Sequence, residues 1–448
     1  MRINLNQSIN TNSNEFNLIA DDLQGNILKS HGRDHAAHVF IRFKSLRSAV
    51  TFIKKTLVPK ITTARKQEKD SQDYKKKVSN GRRNFSVIAL SQLGYGFLGI
   101  QAKNQPRDNS FQTDREKRLG ILNDPKSQDW EEPLKTQYHC LFIIANTSKK
   151  SVQKSVRTIK KKLKSIASRV HIEWGEGIRN KQNAHIEHFG YVDGISQPHL
   201  LDDKIGEISR NNWDPLQNLD LALVKDPGGK TPNSYGSYLV FRKLKQDVSG
   251  WNKAVVDLAK KLNISPSFLG AQLVGRYKSG TPLIPVSPPQ PGPSSTMNDF
   301  NYASDANGSK CPFHSHIRKT NPRGDGGFED QDDEKRHLFV RRGITYGKQG
   351  TDNVGLLFMA YNSNIGNQFE FMQKNWANNI SFPGGKNNAP HGLDPVIGQG
   401  SKSSGQNYVK SYGDKTTTKR IKPSFADFVS MQGSEYFFAP SISMLKNL

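Results

Sequence analysis

Apolar residues along the chain fall into two spacings. Short runs rich in β-branched and aromatic residues predict strands at His38–Phe43 (HVFIRF), Asn84–Leu90, Tyr138–Ala145 (YHCLFIIA), His171–Trp174, Ser237–Arg242, His337–Arg341, Gly355–Tyr361 and Ser434–Ala439. Apolar positions three and four apart predict helices. Val50, Phe52, Ile53 and Leu57 mark one within Ser45–Ile61, and Val152, Val156, Ile159, Leu163 and Ile166 mark another within Lys149–Arg169. Further helices are expected at Ser91–Ile100, Trp251–Leu262, Ser265–Arg276 and Phe369–Trp376. The remaining segments read as connections. Residues 1–17 are Asn-rich and expected to be loose, and 65–83 are a charged helix end or loop. Residues 101–125 are a polar linker, 281–295 a Pro-rich loop and 377–423 a Gly- and Asn-rich loop.

Strands and helices thus alternate in two α+β series of about 200 residues each, joined near 200–235. The division expected is a loose segment over 1–17, an N-terminal domain over 18–225 and a C-terminal domain over 226–448. Neither half shows a Gly-rich phosphate loop, and no internal sequence repeat is visible.

Composition narrows the class. With 34% hydrophobic and 23% charged residues in 448, the chain is globular and long enough for a large core. No apolar stretch approaches the roughly 18 residues a membrane helix needs. The N-terminus lacks the basic start, apolar middle and small-residue cleavage site of a secretory signal, and two cysteines make no disulfide framework, so a cytoplasmic setting is expected. The net charge is +25, from 65 Lys and Arg against 40 Asp and Glu. Such a field attracts anions without saying which. Much of it lies in Lys54–Lys77 and Lys149–Arg169. The lysines of the second segment surround an apolar stripe without interleaved aromatics, which favours a solvated helix face over a nucleic-acid surface.

Three segments carry candidate chemistry. Gly190-Tyr-Val-Asp193-Gly-Ile-Ser-Gln-Pro198 places an acid between glycines, as a turn or as a positioned carboxyl. Cys311-Pro-Phe-His-Ser-His316-Ile-Arg-Lys-Thr-Asn-Pro-Arg323 offers a nitrogen ligand and cations for haem propionates, or a surface histidine pair in a basic loop. On a helix, residues two apart point about 200° away from each other, so only one of His314 and His316 can face an iron. Leu338-Phe-Val-Arg341-Arg342-Gly343 runs a strand into two arginines, of which one can turn toward an anion.

Taken in order, these segments resemble the dye-decolourising peroxidase family: its GxxDG signature, its proximal-histidine motif and the strand carrying its distal arginine. The resemblance begins at Leu23-Gln-Gly-Asn-Ile-Leu28 and His31-Gly-Arg-Asp34. It continues through Asp129-Trp-Glu-Glu-Pro133, Gly355–Tyr361 and Leu393-Asp-Pro-Val-Ile-Gly398, and so covers nearly the whole chain. It implies an α+β fold of two ferredoxin-like modules, antiparallel sheets flanked by helices, with the haem cavity mainly in the C-terminal one. It implies one haem b per chain, with iron held by His316, the hydrogen-bonding acid behind that histidine at Asp394 and a propionate partner at Arg323. Gly194, Ile195 and Ser196 fall beside the cofactor, and Leu356 and Phe358 on the apolar wall of the peroxide side.

The resemblance places catalysis on Asp193, which moves the peroxide proton, and on Arg341, which stabilises charge on the departing oxygen. Arg342 is the neighbour pointing elsewhere. Hydrogen peroxide and bulky, anionic aromatic reductants such as anthraquinone or azo dyes and phenols are the implied partners, in one-electron steps. An acid in place of a distal histidine lowers the pH optimum, because a carboxyl titrates near roughly 4 and an imidazole near roughly 6.5. Tyr346 and Trp376 are candidate surface relays for electrons, or plain packing residues. Neither specific nucleic acid nor membrane is expected, and the protein is expected to be a monomer or homodimer. Two readings compete. A haem-handling protein without peroxidase turnover would need His316 but neither Asp193 nor Arg341, and a nucleic-acid binder would need none of the three.

Overall fold

The computed structural model describes residues 2–76, 83–204, 216–284, 298–327, 329–383, 390–400, 406–414, 419–420 and 425–448. Lys77, most of the 281–295 loop, and parts of 65–83, of the 200–235 junction and of the 377–423 loop lie outside them. In the N-terminal half β1 (His35–Phe43), β2 (Phe85–Ser91), β3 (Cys140–Asn146) and β4 (Ala167–Glu176) pair in the order β2-β3-β1-β4. In the C-terminal half β5 (Tyr235–Gln246), β6 (Val340–Arg341), β7 (Ile344–Tyr346), β8 (Gly355–Asn362) and β9 (Val429–Ala439) run β7-β8-β5-β9, with β6 also on β8. Each half is a β-α-β-β-α-β unit with its first and third strands central, the ferredoxin-like arrangement. All these pairings are antiparallel.

The halves share one ten-stranded sheet, because β9 bonds to β5 on one side and to β2 on the other, with Phe438 opposite Leu90. At the far ends β4 meets β7, where Gly175 faces Ile344 and the Thr345 hydroxyl donates to the Glu176 carbonyl. The sheet curls into a barrel, and both faces of its strands are buried. Phe40, Leu141, Ile143, Phe241 and Phe437 join one core cluster, while Val39, Phe142, Ile144, Val240 and Phe438 join the other. Two-sided burial explains why YHCLFIIA reads as a continuous apolar run.

Helices cover the outer face. The stripe of Val152, Val156, Ile159 and Leu163 is buried on α-helix Lys149–Leu163. That helix ends earlier than 169 because β4 begins at Ala167; Ile166 packs on the same cluster from the turn. The strand expected at 337–341 is only two residues long, since His337 caps the preceding helix. The charged segment after Arg65 begins as a helix at Ala64, capped by Thr63.

Residues 1–17 are not loose where described. Ile3, Ile9 and Phe16 are buried in the inner core cluster, and Ile9 exchanges backbone hydrogen bonds with Leu200 and Asp202 (3.0 and 3.2 Å). Three apolar residues in a polar stretch suffice to dock it.

Candidate functional site

Five segments supply the candidate residues. The helix Pro266–Val274 ends at Gly275, whose φ of +92° continues the chain where a side chain would strike Ile317. Against that end lies the short helix His316–Thr320. Its surrounding loop is locked by Arg318, fully buried and ion-paired to Asp305 (3.0 Å) and Asp325 (2.7 Å). Arg318 is therefore a structural cation.

His316 opens this helix. Its Nδ1 lies 2.9 and 3.1 Å from the two carboxylate oxygens of Asp394, which is fully buried. The backbone N–H groups of Val396 and Ile397 fix Asp394 by donating to it (2.8 and 2.9 Å). A carboxylate only accepts, so Nδ1 carries the hydrogen of this bond and Nε2 is the ring nitrogen left uncommitted. His314 occupies different surroundings. It is buried edge-on to Tyr408, and burial, with Lys319 and His391 nearby, holds its pKa well below the usual imidazole value. The two histidines do diverge, but not through helical spacing: the helix begins at His316, and His314 lies in the turn before its cap residue Ser315.

The loop after β4 carries Asp193. Gly194 has φ +85°, a conformation glycine adopts without strain. Asp193 is exposed and accepts from the Gly194 N–H (2.6 Å). The same loop is tied to Arg341 twice: Arg341 Nη2 donates to the Ile195 carbonyl (3.0 Å), and its backbone N–H donates to Gln197 (3.1 Å). Burial lowers the Arg341 pKa, and the neighbouring Asp193 charge opposes that shift. Arg342 turns the other way and donates to the carbonyls of Asn26 (2.7 Å) and Ile27 (3.0 Å). Arg341 is paired with Ala360 on β8, so it shares a sheet face with Phe358 and Leu356, the partly exposed members of that strand.

Ser196 continues the loop toward Arg323, whose Nη2 donates to the serine hydroxyl (2.9 Å). Both have left-handed backbones (φ +63° and +52°), a strain that persists where surroundings enforce it. Arg276 reaches the same place, donating to Asn298 (3.2 Å), which also contacts Ser196 and Arg323. Burial lowers both arginines to about 10. One five-residue loop therefore joins Asp193, Arg341 and a buried pair of guanidiniums.

A model of the DyP dimeric α+β barrel domain matches residues 22–177, and one of the Dyp-type peroxidase C-terminal domain matches residues 189–382. The chain belongs to the DyP-type peroxidase family. It is 39% identical over 452 residues to the multifunctional dye peroxidase DyP2 of an Amycolatopsis species, covering 96% of this chain and 95% of that protein. The structure of a DyP-type peroxidase from Anabaena superposes with TM-score 0.91 at 39% identity, over 98% of this chain and 96% of that one. A dye-decolorizing peroxidase from Mycetinis scorodonius is 32% identical over 410 residues, 81% of this chain and 75% of that protein. The protein is thus a peroxidase, and among its described residues no helix is long and apolar enough to cross a membrane.

In this DyP-type peroxidase the two candidate relay aromatics are not at the surface. Tyr346 is 4% exposed and Trp376 2%. The Tyr346 ring faces the barrel interior beneath Lys243 (4.9 Å), and burial, then Glu131 and Glu173, push its phenol up. Trp376 stacks on Phe382 (5.5 Å) and meets Phe371 and His337 edge-on. Position along the chain gave no hint of this; each lies on an element buried on the side its indole or phenol points to.

Three residues at this DyP-type site were not singled out from sequence. Arg276 reads as a helix end, and only its proximity to Arg323 reveals it. Gln197 belongs to the signature but had no role assigned. Lys319 is fully buried behind Asp394, donates to the carbonyls of Trp376 (3.3 Å) and Asn379 (2.6 Å), and is pushed by burial down to about 7. A lysine in a basic run gives no sign of burial.

Proposed function

We propose that this peroxidase binds one haem b per chain and reduces hydrogen peroxide to water at the expense of bulky aromatic donors such as anthraquinone dyes, azo dyes and phenols. The observation that carries the reading is the bond between His316 Nδ1 and buried Asp394, which commits one ring nitrogen and leaves Nε2 as a basic ligand. Arg323 and Arg276 would hold the propionates, through guanidiniums of a geometry suited to carboxylates. One solved structure of a dye-decolorizing peroxidase is described by its heme pocket. When bound, the haem supplies the redox centre at which peroxide takes up two electrons.

The chain's own groups do the rest. His316 would hold the iron, and Asp394 keeps its ring from rotating. The Asp193 carboxylate accepts the peroxide proton and returns it to the departing oxygen, which leaves as water. Arg341, fixed to the same loop through Ile195 and Gln197, places its positive charge where negative charge develops. Gly194, Ile195 and Ser196 would border the cofactor, and Leu356 and Phe358 would exclude water from the peroxide side. Two donor molecules each return one electron, and two protons, one taken up with each electron, convert the oxygen left behind to the second water.

The test combines loading and turnover. Protein reconstituted with haem is expected to show a Soret band and to bleach an anthraquinone dye only with peroxide, and His316→Ala is expected to lose the ligand-dependent part of the spectrum. A wild type that loads haem but consumes no peroxide would favour haem handling instead. Asp193 and Arg341, tied together through Ile195 and Gln197, weigh against that alternative.

The division into domains at 18–225 and 226–448 is proposed on the two sheet halves. A cytoplasmic setting is supported by two buried, unpaired cysteines, Cys140 and Cys311. A monomer or homodimer, with no specific nucleic acid and no membrane partner, completes the reading.

A further inference from the structure

Away from the candidate site, the Lys149–Leu163 helix crosses β4 and encloses with it a cleft of about 580 Å³. Val156, Ile172, Arg157, Lys160 and Trp174 are among the residues that line it. Trp174 is 42% exposed, whereas Trp130, Trp251 and Trp376 are each 4% exposed or less. Arg157 and Lys160 are three positions apart and so project from one helix face. Neither pairs with a carboxylate among the described residues. The nearby acids are already committed: Glu173 is bonded to His171 (2.6 Å) and Lys243 (2.9 Å), and Glu176 to Lys149 (2.6 Å). The cleft is cationic with one aromatic wall.

That combination selects its occupant. A flat ring gains by lying against an indole, and an anionic substituent gains by meeting a guanidinium and an ammonium together. A second copy of this chain would bring two lysine-rich faces together in a molecule of charge +25, which is repulsive. A nucleic-acid strand needs a series of stacking platforms, and here there is one indole. We propose that the cleft between this helix and β4 binds an anionic aromatic molecule of the arenesulfonate or arenecarboxylate class, its ring against Trp174 and its anionic group between Arg157 and Lys160. The proposal rests on the peroxidase reading for the occupant's role as electron donor.

The test is calorimetric titration of the haem-loaded enzyme with anthraquinone-2-sulfonate at low salt. Wild type, Trp174→Leu and the pair Arg157→Glu with Lys160→Glu are compared, with far-UV circular dichroism and the Soret band as checks on folding. Wild type is expected to bind one molecule, and each variant to bind about tenfold more weakly or worse, since every tenfold is a modest free-energy change. Added salt should weaken wild-type binding and leave the charge-reversed variant nearly unaffected. If charge reversal disturbs folding, Arg157→Gln with Lys160→Gln serves in its place. Variants that bind as tightly as wild type, or a wild type with no saturable binding, overturn the proposal. Oxidation of an uncharged phenol is measured alongside. Its absence in wild type with sulfonate binding intact would sink the peroxidase reading alone.

Discussion

Asp394 shows how a residue distant in sequence sets the chemistry of another. It holds His316 through one hydrogen bond and is itself held by two backbone N–H groups. Asp394→Asn replaces an acceptor that fixes the tautomer with a group able to donate. Haem affinity is expected to fall about 10–100-fold, read from the rate of haem transfer to apomyoglobin; unchanged transfer would remove Asp394 from its role. Lys319 gives a pH signature. Its folded pKa of about 7 lies below the ordinary lysine value of 10.5, so in that window the unfolded chain binds more protons and stability rises with pH. The melting temperature of wild type relative to Lys319→Met should therefore climb between about pH 7 and pH 9, by an amount set by this one group. A flat difference would mean that Lys319 stays charged in the fold. At this scale the motifs singled out His316, Asp193 and Arg341, and the structure sets His316 on Asp394 and ties Arg341 to the loop of Asp193. The sequence was silent where burial decides, as with Lys319, Arg276 and the interior position of Tyr346.

At the scale of elements, period and propensity located the main helices and strands, because the apolar stripe of Val152 to Leu163 and the apolar run of β8 are local properties, whereas the short helices Asn109–Gln112 and Arg115–Ile121 lie in the stretch that reads as a polar linker. Strand order was not legible. The insertion of β9 between β5 and β2 depends on pairing partners about 190 and 350 positions away, which no local pattern encodes. The docking of residues 2–17 was missed because Ile3, Ile9 and Phe16 are too sparse to show a period. The seam between β4 and β7 is a consequence of that topology and can be tested. A Cβ on Gly175 would come 2.4 Å from Ile344 Cγ2. Gly175→Val should cost about 1–3 kcal/mol by overpacking, measured as a lower denaturation midpoint. If Ile344→Ala restores the loss, the seam is the cause; if the variant is as stable as wild type, the two strand edges do not meet as described.

For the molecule as a whole, two ferredoxin-like modules form one barrel, and the loop at 193–197 and the helix at 316–320 bring together residues from both sides of the chain's midpoint. The large positive charge and the Trp174 cleft lie apart from this site, so donor capture and peroxide chemistry are independent in this reading. The most direct test of the central claim is stopped-flow absorbance of haem-loaded protein mixed with hydrogen peroxide. Wild type should show a fast change in the Soret band. Asp193→Asn should slow that change by about 10²–10⁴ and Arg341→Leu by about 10²–10³, the ranges for losing a proton-transfer group and a charge-stabilising donor. Haem-loaded wild type with no spectral change on peroxide, or two variants that react as fast as wild type, would contradict the account.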